Sequence, residues 1–262
     1  MFFRRWYSES REQSIVTESL QAFVDESWNG KFFVLAGFVF TAEAAQAFSS
    51  DWDSALQEAP AIEYFKMNEV NGKTKGQFVS FSGKERQEKL LRLARVAGKH
   101  AGAYFSVSVP VEYFDSILVP ALPAEFRFPY LWLFNGLVTA MSSYEFHVGE
   151  RRLIDFTFDE QRQFLSKSIA LYERVKIFPP FKEHNTVVGR IKGGQDHSVL
   201  PLQAADMLVG QVRLFLASPK PKVPNPCLAE LKTMVPFAYN HVLDAPQLLD
   251  MANNIQRWSG QW

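Results

Sequence analysis

The sequence predicts an α/β protein: a mixed sheet flanked by helices, with a helical insertion after an opening hairpin. Three observations carry that prediction. Two apolar segments, residues 21–25 and 31–40, face each other across Asn29-Gly30, the residue pair of a tight two-residue turn. Strand patterns at 103–110, 151–158 and 185–192 are separated by helical patterns. Hydrophobic residues make up 47% of the chain and charged residues 21%, and 24 Phe supply a large, stiff core.

The elements follow in order. Residues 42–56 are alanine-rich and helical in period, and 84–100 have the charge and leucine spacing of an amphipathic helix. Between them, 68–83 read as an exposed loop, so about 41–100 form the insertion. Residues 129–147, apolar at first, suit a central buried helix. The strand from Arg151 leads to Asp159-Glu160-Gln161, and an amphipathic helix over 164–177 is stopped by Pro179-Pro180. Gly193-Gly194 follows the last strand, and Pro201 fits the first turn of a helix over 202–216. A Pro- and Lys-rich connector, 218–226, leads to a helical tail. Residues 1–217 are expected to form one domain, with 218–262 packing on it. Alternation of the last three strands with helices implies parallel pairing and right-handed crossovers. Two antiparallel strands ahead of that alternation give the order of a ribonuclease H-like core.

Net charge is +0. Nucleic-acid binders usually carry a basic excess, so any such partner must be gripped by a local patch. The single cysteine, Cys227, allows no internal disulfide and no Cys-x-x-Cys zinc pair. Arg4-Arg5 is not followed by an apolar run of signal-peptide length, and no stretch approaches ~18 apolar residues. A cytoplasmic protein with no membrane span is expected.

The chemistry-bearing candidates are acidic. Asp25 ends the first strand and Asp159 the strand from Arg151; ligands of open α/β sheets gather at the carboxyl ends of parallel strands. Asp155 shares a face with Asp159 but lies about 13 Å away at ~3.3 Å per residue, too far to serve the same ion. Asp206 falls beside the apolar stripe of its helix, with Gly210 and Arg213 on the same flank and no basic helical neighbour, and Gly210 leaves open space beside it. An Asp after a strand also serves as a turn or cap residue, and Asp206 alone also suits a structural pairing with a distant Lys or Arg. Together, three Asp from two strands and one helix suit Mg²⁺ or Mn²⁺, hard cations that take oxygen ligands and promote phosphodiester cleavage.

Phe23-Val24-Asp25-Glu26-Ser27, followed by a strand containing Leu35-Ala36-Gly37, resembles the opening motif of the domain-of-unknown-function 3800 family. Phe156-Thr157-Phe158-Asp159-Glu160 is similar to the family's middle strand, and Gln203-Ala204-Ala205-Asp206 through Gly210 to its Gln-x-Ala-Asp-x-x-x-Gly helix. These motifs frame about residues 20–217. The resemblance implies a ribonuclease H-like fold, metal-binding Asp25, Asp159 and Asp206, and membership among proteins regarded as nucleases. Glu63-Tyr64-Phe65-Lys66 resembles a family segment with Glu or a small polar residue before a Lys; Lys66 suits a phosphate contact, and a solvated lysine explains it equally. Trp28 stands where many members carry Gly, and the extra central-helix Glu of ribonuclease H has only Glu145 as a counterpart.

The expected function is a Mg²⁺- or Mn²⁺-dependent nuclease or phosphodiesterase, with Asp25, Asp159 and Asp206 as catalytic metal ligands and Lys66 and Lys192 as phosphate contacts. Arg190 and Lys182 could add local positive charge, or form a solvated strand edge. The alternatives are a non-catalytic ribonuclease H-like binding module and a hydrolase of small phosphorylated metabolites. Gly72-Lys73-Thr74 lacks the first Gly of a phosphate loop, no Gly-x-Ser-x-Gly or His-Glu-x-x-His occurs, and His197 reads as a capping or surface residue near the Asp206 helix.

Overall fold

The computed structural model describes residues 19–70, 72, 75–160, 162–177, 181–218 and 225–258. The Arg4-Arg5 start, Lys73-Thr74, Gln161, Pro179-Pro180 and residues 219–224 of the connector lie outside them.

The opening hairpin forms from β1 (Leu20–Trp28) and β2 (Phe32–Thr41), antiparallel from Leu20↔Thr41 to Trp28↔Phe33. That register puts Gly30-Lys31, one residue later than expected, at the tip. Gly30 has φ 80, and the Asn29 side chain accepts hydrogen bonds from the Lys31 and Phe32 amides. After α1 (Ala42–Gln57) and α2 (Gly83–His100), β3 (Ala103–Pro110) adds antiparallel to β2. A single turn, α3 (Val111–Tyr113), and irregular helical segments lead to α4 (Pro129–His147). Then β4 (Ile154–Asp159) lies parallel to β1, α5 (Arg162–Val175) and short α6 (Phe181–His184) follow, and β5 (Val188–Gly194) lies parallel to β4.

Last come α7 (Leu200–Ala217), α8 (Pro226–Met234), β6 (Phe237–Val242) and α9 (Ala245–Trp258). Among the described residues the architecture is α/β, a six-stranded mixed sheet of order β5-β4-β1-β2-β3-β6 with helices on both faces.

The expected parallel pairing holds for β4 and β5 but not for β3, which stays on the far side of the hairpin. The tail is not wholly helical, because β6 pairs parallel with β3. Residues 68–83 are less exposed than expected: Val70, Phe78 and Phe81 are buried and anchor the loop.

Two apolar layers form because strand side chains alternate. Phe23, Ala36 and Phe38 pack under α1, α2, α7 and α8; Ala22, Val24, Leu35 and Phe158 pack under α4, α5 and α9. Helix α7 is apolar nearly all round because it is enclosed between the sheet and the outer helices. Among the described residues no helix is long and apolar enough to cross a membrane.

Two caps fix the insertion. Ser82 and Glu85 form a capping box at the start of α2. Lys89, also on α2, is buried and donates to the carbonyls of Ala55, Leu56 and Glu58 at the end of α1. A cation there answers both the unpaired carbonyls and the negative end of the helix. Replacing it leaves those acceptors buried and unpaired. Lys89→Met is expected to lower stability by about 3 kcal/mol, read from urea denaturation followed by circular dichroism.

Candidate active site

The site begins where β4 leaves β1. The last parallel pair is Val24↔Phe158, and the next residue on each strand is an aspartate, Asp25 and Asp159. Neighbouring strands lie about 4.8 Å apart, so the two carboxylates spring from adjacent backbone positions. By strand alternation both are on the α7 face of the sheet. Asp25 does not end β1 as expected: β2 keeps pairing with it through Trp28. The hairpin therefore projects past β4 and opens a cleft of about 380 Å³. Asp25, Glu26, Asp159 and Asp206 line it together with Lys66, Arg213, Tyr130, Trp28, Phe128 and Phe164.

Helix α7 supplies Asp206 and also the opposite wall. Gln203, Asp206 and Gly210 share one face at i, i+3 and i+7. Gln203 Oε1 accepts from the Phe65 amide and the Trp52 indole, and its Nε2 donates to the Asp196 carbonyl. Asp206 Oδ2 accepts from the Met67 amide at 2.7 Å. Gly210 leaves no open space: a Cβ there would stand 2.3 Å from Met67 Cγ. The three residues thus dock the extended 65–67 segment on the helix and fix Lys66 between them. Lys66 forms an ion pair with Asp196, two residues past β5, and His197 lies beside the same carboxylate and against Tyr64.

The structure brings Asp25, Asp159, Asp206 and Lys66 into one cleft. Lys192 and Lys182 are exposed and do not line it. Asp155 accepts from the Arg190 amide and pairs with its guanidinium, and buried Glu145 accepts from Glu150 N, Arg152 N and Arg152 Nε, so both are structural. Asp196 and Tyr130 were not among the expected residues. Asp196 follows β5 as Asp159 follows β4, and the strand-end rule finds it once Gly193-Gly194 is read as the end of a parallel strand.

The charge balance is strained. Burial raises the Asp25 carboxyl well above its usual range, and Glu26, Asp206 and Asp159 raise it further, against the Glu26 amide that hydrogen-bonds it. Burial pushes Asp206 up to about 6, opposed by the Met67 amide and Lys66. Burial also raises Asp159, opposed by Lys66. Burial alone would lower Lys66, but Asp196, Asp206 and Asp159 reverse the shift and raise it. The Tyr130 hydroxyl has no hydrogen-bond partner; burial and the charges of Glu26, Asp25 and Asp159 raise its pKa too. Arg213 Nε is likewise buried and unpartnered.

An all-oxygen donor set of this sign suits a hard divalent cation. As they stand, no three His, Cys, Asp or Glu side chains among the described residues are gathered tightly enough to hold one; part of the charge is met by Lys66. The chain matches no known family model, and no curated protein is significantly similar to it.

Two expectations follow. The raised carboxyls bind more protons folded than unfolded, so their contribution to stability is full below the unfolded value near 3.8 and is lost as pH rises through the folded values, about 6 for Asp206. Asp25→Asn should therefore raise the melting temperature by several degrees at pH 8 and leave it unchanged at pH 4, measured by differential scanning fluorimetry at both values. Gly210→Ala should displace Met67 and cost about 2 kcal/mol, measured by chemical denaturation.

Proposed function

We propose that the chain is a divalent-metal-dependent nuclease or phosphodiesterase. The observation that carries this reading is the convergence of Asp25, Asp159 and Asp206, from two strands and a helix, on one cleft where burial raises all three carboxyls. The strand order supports it: β3-β2-β1 antiparallel, then β4 and β5 parallel to β1, is the arrangement expected of a ribonuclease H-like core. That all three motif aspartates resembling the domain-of-unknown-function 3800 family line this cleft supports the family reading as well.

Asp25, Asp159 and Asp206 would hold Mg²⁺ or Mn²⁺. When bound, the ion supplies positive charge to the attacking and leaving oxygens of a phosphodiester. The other roles belong to the chain. Asp196 keeps Lys66 charged and oriented, and Lys66 is placed to meet a phosphate oxygen once a cation shares its load. Arg213 lines the cleft and, as a guanidinium, suits a second phosphate contact. The Gln203 amide holds the Lys66 segment and the Asp196 loop at fixed separation.

One observation favours a second reading, a non-catalytic ribonuclease H-like binding module: Lys66 already occupies part of the cation's electrostatic place. Two measurements separate the readings. Calorimetric titration should give Mn²⁺ or Mg²⁺ binding in the micromolar to millimolar range, lost in Asp206→Asn. Cleavage of single-stranded, duplex and hybrid substrates with Mn²⁺ should fall at least ~100-fold in Asp25→Asn and Asp206→Asn. No metal binding at millimolar concentration assigns the module; cleavage unaffected by either change removes the acidic site from the chemistry.

A further inference from the structure

Beyond its acidic wall, the cleft has a rim of a different kind. Trp28, at the end of β1, is 64% exposed, although large aromatic side chains are usually covered. Phe128 and Phe164, which line the same cleft, stack at 4.0 Å with an interplanar angle of 12°. Phe33 buttresses Phe128 edge-on at 5.6 Å, and Phe33 and Tyr130 meet edge-on at 6.4 Å. These rings are therefore held in place and not merely adjacent. Two buried polar groups of residues lining the same cleft have no hydrogen-bond partner among the described residues. The Tyr130 hydroxyl, on a residue only 1% exposed, has no partner and feels the charges of Glu26, Asp25 and Asp159; Arg213 Nε is buried without one. A buried donor without a partner costs about 1–3 kcal/mol and points to a group that the cleft is built to receive.

We infer that the cleft takes a single-stranded nucleic acid, one unpaired nucleotide at a time, with a base against the Trp28 and Phe128–Phe164 rim and its phosphate between Arg213 and the acidic wall. This rests on the phosphodiesterase reading and names its substrate. Three features favour an unpaired nucleotide. Base-stacking surfaces are of use only when the base faces are free, as in single strands. A volume of about 380 Å³ suits one nucleotide. The neutral net charge supplies no general basic field for duplex backbones, so affinity has to come from local contacts such as stacking.

The test is fluorescence anisotropy of a labelled twelve-nucleotide strand, the duplex of the same sequence, and the strand in competition with a nucleoside monophosphate. Ca²⁺ replaces Mn²⁺ to limit turnover. The single strand should bind at least ten-fold tighter than the duplex and resist the mononucleotide. Trp28→Ala, a change at an exposed position, should weaken strand binding about ten-fold. A Trp28→Phe variant should recover most of the loss, which a merely structural role would not show. Equal affinity for strand and duplex, no strand binding, or a Trp28→Ala affinity within two-fold of wild type overturns the inference. Competition by the mononucleotide as strong as by the strand overturns it in favour of free nucleotides. Mn²⁺-dependent hydrolysis of bis(p-nitrophenyl) phosphate, compared between wild type and Asp25→Asn, probes the acidic site by itself. If that activity depends on Asp25 while strand preference is absent, only the substrate assignment falls; if no such activity exists, the phosphodiesterase reading falls first.

Discussion

The buried amide of Gln203 joins three parts of the chain that lie far apart in sequence. Its oxygen holds the Trp52 indole of α1 and the Phe65 amide, and its nitrogen holds the Asp196 carbonyl. Every one of these groups would otherwise be buried without a partner, so the amide cannot be exchanged for an apolar side chain without loss. Lys66 follows Phe65, and its partner belongs to Asp196 itself. The position of the cleft's cation is therefore set by a neutral residue that does not line the cleft.

The acidic wall sits on a scaffold that tolerates it at a cost. Asp25 is 5% exposed, and the strongest influences on it besides burial and its hydrogen bond are three other carboxylates, Glu26, Asp206 and Asp159. Each unit of raised pKa corresponds to ~1.4 kcal/mol of lost folding stability at neutral pH. The apolar layers on both faces of the sheet offset that loss. An ion pair or an amide would serve folding better at these positions, which is the reason to read the carboxylates as kept for chemistry.

Much of this was legible in the sequence, and the reasons for success and failure differ. The hairpin, β3 and α4 follow from alternation and apolar runs, which report burial directly. Asp159 and Asp206 could be named because a strand end and a helix flank are local features, whereas Asp25 was placed at a strand end although β1 runs on to Trp28. The strand β6 was not legible: Phe237–Val242 alternates half-buried and exposed positions over only six residues, and its pairing with β3 is a long-range fact. Asp196 was hidden by the glycines before it, which read as a loop. The space beside Gly210 was misread because its occupant, Met67, comes from a loop more than a hundred residues away.

The late arrival of β6 has a kinetic consequence. Until residues 237–242 emerge from the ribosome, β3, buried along nearly its whole length in the finished protein, is the uncovered margin of an incomplete sheet. At ordinary synthesis rates that interval is on the order of ten seconds. Nascent chains are most open to mispairing with one another during this window, and cellular holdases have their clearest target there.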